Sequence, residues 1–236
     1  MAYNPFFEED LHHAGPPRIA FSPLELLHLL GALVALTIAF TFILDPRETG
    51  FDLGAIADVV VHPDGLVWFT SFVGMATGFV LHEVAHKILA QRYGHWAEFR
   101  AAFSFLGITL FAATFLKILL AAPGAVLIQG RVTPKENGLI SLAGPSVNLA
   151  VAVLSVGAYL VGYFTSPQWG VDPRDLAPFM LLGVAQVNSL LSMFNLVPFG
   201  PLDGRKVLRW NRAVYALAMA ASIGLFVAVL FYMPPV

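Results

Sequence analysis

Residues 82–86 read His82-Glu83-Val84-Ala85-His86. Two imidazoles four residues apart stand one turn above each other on a single helix face, where both can reach one metal ion. The glutamate beside the first is placed to act on water at that ion. A donor set of histidines and carboxylates suits zinc, with cobalt and iron as chemical alternatives. Two histidines leave a tetrahedral zinc short of a third protein ligand, the fourth place being kept for water. The chain has no cysteine, which excludes disulfides, thiol catalysis and Cys-ligated metal together.

Asp203 is the candidate third ligand. It closes the stretch Asn195-Leu196-Val197-Pro198-Phe199-Gly200-Pro201-Leu202-Asp203-Gly204, in which Pro198, Gly200, Pro201 and Gly204 cannot continue a regular helix. Unpaired backbone at membrane depth is tolerated where it is buried in protein or lines a watery cavity. An aspartate at its end can turn inward to a metal, or else cap the next helix at the membrane surface. Asn188, Ser192 and Asn195 follow at helical spacing and form a polar stripe, which interhelical hydrogen bonding would also explain. Asn148 and Pro145 are read as packing around the site. His28, His62 and His95 have no partner at ligand spacing, and His12 and His13 lie in a polar lead-in.

The elements that carry these residues are apolar. Of 236 residues, 58% are hydrophobic and 12% charged, with a mean hydropathy of +0.75. Soluble domains carry about twice that charge fraction, close to 25%, so the composition is that of an integral membrane protein. A net charge of -2 argues against a nucleic-acid partner. Five stretches, near 24–44, 66–91, 138–163, 178–199 and 212–232, reach the roughly 20 apolar residues that a crossing needs. A sixth, 101–122, contains Lys117 and ends at Pro123-Gly124. Residues 1–22 read as a polar lead-in without the basic start of an export signal, and 23–236 as one membrane-embedded domain with its core at 66–212.

Lysine and arginine orient such a chain. With the N-terminus inside and 101–122 dipping in and returning, the cytoplasmic side receives Arg18, Lys87, Arg92, Arg100, Lys117, Arg131, Lys135, Arg205, Lys206, Arg209 and Arg212. The far side keeps Arg47 and Arg174, an 11 to 2 division of the 13 basic residues. The acids Asp45, Glu48, Asp52, Asp58 and Asp64 fill the first outer connector. A full crossing by 101–122 would scatter the later basic residues, so a re-entrant or surface-lying stretch is expected. Three ionisable groups inside the second span mark a functional site rather than a helix end.

The two motifs together, His82-Glu83-Val84-Ala85-His86 and Asn195-Leu196-Val197-Pro198 followed by Asp203-Gly204, resemble the site-2 protease family of intramembrane zinc metalloproteases. Gly144-Pro145-Ser146-Val147-Asn148 on the intervening helix adds to the likeness. The resemblance implies an all-α polytopic membrane protein of five to six transmembrane helices, with a three-helix zinc-binding core and a small β element near the active site. The apolar run Ala125-Val126-Leu127-Ile128 fits that β element. The resemblance further implies one zinc ion on His82, His86 and Asp203, Glu83 as the catalytic base, and Asn195 against the substrate or its oxyanion. The expected partners are a transmembrane protein substrate and the lipid bilayer, with no nucleic acid and no organic cofactor. The expected location is multi-pass in the cell membrane, with the active site toward the cytoplasm. Neither a PDZ-like nor a nucleotide-sensing domain fits the sequence, which departs from many family members. The alternatives are a catalytically inactive relative, which the intact motif residues oppose, and an intramembrane metal transporter, which would not need Glu83 beside His82. A prenyl-protein type of membrane protease would use a glutamate as third ligand, and no glutamate follows Glu136.

Overall fold

A computed structural model describes residues 19–47, 50–118, 123–169, 172 and 175–232. The lead-in up to residue 18, with Arg18, and also Glu48 and Arg174 lie outside the described residues. Five helical stretches are long and apolar enough to cross a membrane. They are α1 (Pro23–Leu44), the pair α3 (Gly65–Met75) and α4 (Leu81–Arg92), α6 (Pro134–Thr165), α7 (Leu176–Asn195) and α9 (Arg212–Tyr232). Shorter elements complete the described chain: α2 (Leu53–Val61), β1 (Trp96–Ala101), α5 (Phe103–Leu116), β2 (Gly124–Gln129) and α8 (Asp203–Trp210). The expected all-α polytopic architecture with a small β element is what the chain adopts.

Local chemistry sets the helix ends. Ser22 caps α1 by accepting from the Glu25 amide, and Asp52 and Asp64 do the same for α2 and α3. Thr133 and Glu136 form a reciprocal capping box around Pro134 at the start of α6, which satisfies amides that no helix can pair internally. On α1, Leu29, Ala32, Leu36, Phe40 and Leu44 recur every three or four residues and bury one face. They meet Val67 and Met75 of α3, Phe99 of β1, Leu106 of α5, and Val187 and Leu191 of α7. By contrast α9 is mostly exposed, with Leu217 and Phe231 bare, the condition of a helix that faces lipid.

The antiparallel pair β1–β2 runs from Trp96↔Gln129 to Ala101↔Gly124. Just beyond it the Ala102 amide donates to Pro123 O at 2.8 Å. Both ends of the apolar stretch 101–122 are thus bonded to each other, and the chain leaves where it entered. At its start the Phe103 ring lies edge-on to His28, near the beginning of α1. At its far end Lys117 Nζ donates to the carbonyls of Phe42, Asp45 and Arg47, beyond the other end of α1. Fourteen residues of α5 rise about 21 Å, and the seven steps from Lys117 back to Gly124 reach up to about 24 Å. Helix α5 is thus laid along α1, with the two ends of the stretch meeting at the base of a hairpin. Lys117 itself does not stay with the inner basic residues but joins Arg47, which changes the division from 11 to 2 into 10 to 3.

Lys87 is also displaced from its expected place. It does not end the zinc-motif helix at the headgroups. It is buried in an ion pair with Glu25 of α1, beneath the Phe21 ring. Glu25 Oε1 in turn accepts the Phe99 amide of β1 at 2.9 Å, and His28 Nδ1 accepts the Ala101 amide at 3.2 Å. The outer edge of β1 is therefore occupied by side chains of α1. Next to it, hydrogen bonds from Ser22 and Arg100 hold the Glu98 carboxyl below its ordinary pKa.

Candidate metal centre

The zinc-motif helix begins with a distortion. Between α3 and α4, residues Ala76–Val80 form one π-helical turn, a widened turn often found at functional sites. Thr77 Oγ1 bonds back to the carbonyls of Val73 and Gly74. Two residues after the turn comes His82, and four later His86, both buried. From Arg92 the pair stands about 9–15 Å up the helix axis at 1.5 Å per residue, inside the membrane-crossing part.

Asp203 arrives from the opposite direction. Helix α7 ends at Asn195, earlier than residue 199 where hydropathy alone would carry it, and the chain turns through Leu196–Leu202 into α8. Gly204 packs there so tightly that a Cβ would fall 1.9 Å from Leu196 O. Asp203 becomes the first residue of α8 and is buried, with Oδ2 3.1 Å from His86 Nε2 and 3.4 Å from His82 Nε2. Asp203 opens α8 but does not cap it, since the N-cap is Leu202 without a side-chain bond, and the carboxylate faces the histidines instead. Its Oδ1 takes Lys206 Nζ at 3.4 Å, one turn on.

The donor set fits a metal ion on its own chemistry. His86 Nδ1 lies 2.7 Å from Ile140 O, which can only accept, so Nδ1 carries the proton. His82 Nδ1 is bonded in the same way to Asn148 Oδ1. Both Nε2 atoms then present lone pairs, and they lie 2.9 Å apart beside a carboxylate oxygen. Three acceptors converging without a hydrogen between them call for a cation. The three ligand atoms lie within 4.8 Å of one another, and this is a His-His-Asp group of the kind that binds one zinc. Opposite them α6 approaches through Gly144, where a Cβ would sit 2.5 Å from His86 Nε2 and 2.6 Å from His82 Nε2. Only glycine leaves that space open.

The group lies in a cavity of about 130 Å³. Glu83 and Asn195 line the same cavity, with β2 residues Gly124, Ala125, Val126 and Ile128 along one wall and Leu36, Met75 and Leu191 at its apolar end. Asn195 gives one amide hydrogen to Leu191 O at 3.0 Å. All five residues singled out by the sequence are thereby brought together. The polar stripe is divided: Asn195 faces the cavity, while Ser192 donates to Pro145 O at 3.0 Å and meets Ser222 Oγ of α9 at 2.7 Å. His28, His62 and His95 stay away from the centre. Sequence reasoning missed Lys206, although its spacing of three from Asp203 on a helix is a local signal. It also missed the part played by Asn148, whose partner is 66 residues away.

The pairing pattern decides which strand edge is free. The amides of Phe99 and Ala101 point away from β2 to Glu25 and His28. Their partners Val126 and Gly124 must then also turn their amides and carbonyls outward, since the two members of an antiparallel pair face the same way. By alternation Ile128 does likewise. These are the β2 residues, with Ala125, that line the cavity.

No family model and no solved structure matches the chain. Curated relatives do. The chain is 36% identical over 186 residues to a protein of Methanocaldococcus jannaschii named "Putative zinc metalloprotease MJ0611", covering 75% of this chain and 90% of that one. A second protein of that organism, "Zinc metalloprotease MJ0392", is 27% identical over 66% of this chain and 38% of its own length. "Putative zinc metalloprotease Rip2" of Mycolicibacterium smegmatis is 29% identical over 83% of this chain and 80% of its own. With a buried His-His-Asp group on membrane-crossing helices and both motifs at their required spacing, the chain belongs to the site-2 protease family of membrane zinc metalloproteases.

Proposed function

We propose that this protein is an intramembrane endopeptidase that hydrolyses a peptide bond within a transmembrane segment of a membrane-protein substrate. The observation that carries the reading is the shared cavity. It holds the His82, His86 and Asp203 donors, Glu83 and Asn195, and it is walled by a strand edge whose backbone groups have no sheet partner among the described residues.

His82, His86 and Asp203 would hold the zinc, which when bound would supply a Lewis acid to polarise the scissile carbonyl and lower the pKa of water. The remaining work falls to the chain. Glu83 accepts the proton of the attacking water and returns it to the leaving amide nitrogen. Asn195 has spent one amide hydrogen on Leu191 O and keeps the other for the carbonyl oxygen that gains charge. A helix hides its own amides, so a transmembrane substrate must unwind before attack. The outward groups of Gly124, Val126 and Ile128 receive the unwound segment as an added strand. Glu83, placed in the cavity with the donors, supports hydrolysis over ion transport.

The test is cleavage of a single-span reporter protein by the purified chain in detergent or vesicles, with product masses read by mass spectrometry. Cuts inside the apolar segment, abolished by a zinc chelator and restored by added zinc, are expected. Cuts confined to soluble flanks would overturn the intramembrane reading.

A further inference from the structure

We infer that Asn148 of α6 and Asn188 of α7 are positioning residues that set the tautomer and aim of His82. The inference rests on the zinc assignment to His82, and concerns how the chain prepares that ligand.

The hydrogen bonds can be directed one by one from fixed ends. Thr77 Oγ1 donates to Val73 O at 2.8 Å, so it accepts from Asn188 Nδ2 at 3.0 Å. The other Nδ2 hydrogen of Asn188 goes to Val184 O at 2.9 Å. That leaves Asn188 Oδ1 to accept from Asn148 Nδ2 at 3.0 Å, while the second Nδ2 hydrogen of Asn148 goes to Gly78 O at 2.7 Å. Asn148 Oδ1 is thereby turned to His82 Nδ1. An oxygen there accepts, so Nδ1 bears the hydrogen and Nε2 keeps its lone pair toward Asp203. Reversing either amide would set N–H against N–H or oxygen against carbonyl. Among the described residues both asparagines are fully buried, where an unmatched polar group is costly. The chain of bonds also touches the π-helical turn twice, at Thr77 and at Gly78. The turn that aims the zinc-motif helix and the amides that aim its first histidine are therefore one unit. Outer partners of zinc-bound histidines typically change metal affinity about 10–100-fold when removed.

The experiment measures zinc affinity of the purified full-length chain by competition with a chromophoric chelator, beside circular dichroism of the zinc-free protein. Asn148→Leu should weaken zinc binding about 10–100-fold with helical content kept. Asn188→Leu should weaken it less, because Asn148 then holds its orientation through Gly78 O alone. Asn188→Asp keeps an acceptor facing Asn148 and, as the neutral acid, one donor for Val184 O, so it should retain more affinity than Asn188→Leu. In the Asn148→Leu background Asn188→Leu should add no further loss, since Asn188 acts through Asn148. Wild-type affinity in Asn148→Leu, or additive losses in the double variant, would overturn the inference. Should Asn148→Leu fail to fold, the contrast between Asn188→Leu and Asn188→Asp decides, equal affinities counting against it. If the wild-type chain binds no zinc, the reading of the site itself has failed instead.

Discussion

The roles proposed for Glu83 and for the three donors differ although they share one cavity, and substitution would separate them. Glu83→Gln keeps size and hydrogen bonding but removes the base. Cleavage should fall at least about 10²-fold with zinc stoichiometry unchanged, as metal analysis beside a reporter assay would show; undiminished turnover would remove Glu83 from the mechanism. Gly144→Ala has the opposite signature. Its methyl would stand 2.5 Å from His86 Nε2, in the space that the ion needs, so zinc content should drop sharply while the helices persist by circular dichroism. A full zinc complement in that variant would mean that α6 can retreat. At this scale the sequence is most legible where partners are near in the chain. His82, Glu83 and His86 are fixed by helix periodicity, and Asp203 by the broken stretch before it. Lys87 and Asn148 were illegible because Glu25 and His82 lie 62 and 66 residues away.

Strand β2 offers a finer test, because alternate residues face opposite edges. A proline at 126 removes an outward amide and spares the bonds to β1, whereas a proline at 127 removes one that points to Glu98. Val126→Pro should therefore cut activity several-fold or more with little change in melting temperature, and Leu127→Pro should lower the melting temperature itself. Equal thermal loss in the two would show that β2 is not open on the cavity side. The Glu25–Lys87 pair binds α1 to α4 and to β1 and is buried throughout. Lys87→Met strands a carboxylate and should cost about 3–5 kcal/mol, a substantial part of which Glu25→Gln should restore in the double variant, as read by denaturant unfolding in detergent. The spans were legible from hydropathy to within a few residues, and Ala125–Ile128 was legible as a strand. Strand β1 was not, since Ala97, Glu98 and Phe99 are all buried and the alternation that marks a strand is lost. Helix α2 was hidden for another reason: its nine mostly apolar residues are too few to cross a membrane and lie among Asp45, Asp52, Asp58 and Asp64, which mark the stretch as a connector.

Across the whole molecule the five crossings put the start of α1, the end of α4 and the start of α9 on one side, with Arg47 and Lys117 on the other. We propose that the first side is cytoplasmic, because the division of basic residues by sequence, 10 to 3 once Lys117 joins the far side, still favours it. Cysteines introduced singly at Ser166 and Lys135, in a chain with no native thiol, test this in intact cells. Ser166 should react with an impermeant reagent and Lys135 should not; the reverse pattern would invert the orientation. The closed base of the 101–124 hairpin could not be read from composition, because it depends on two residues 23 apart meeting as a strand pair.

The free edge of β2 also has a direction. Strand β1 runs from the Arg92 end of the zinc-motif helix toward the membrane interior, and β2 runs back out. A guest segment pairing antiparallel to β2, the more stable arrangement per residue, must run the way β1 does. Its amino-terminal flank then lies toward the Arg92 side and its carboxyl-terminal flank toward the opposite leaflet. Single-span proteins inserted with their amino termini on the Arg92 side meet that polarity without turning round. Under the proposed pairing, those inserted the other way would present their backbone reversed, and the strand edge would sort candidate substrates by the way they were threaded into the bilayer.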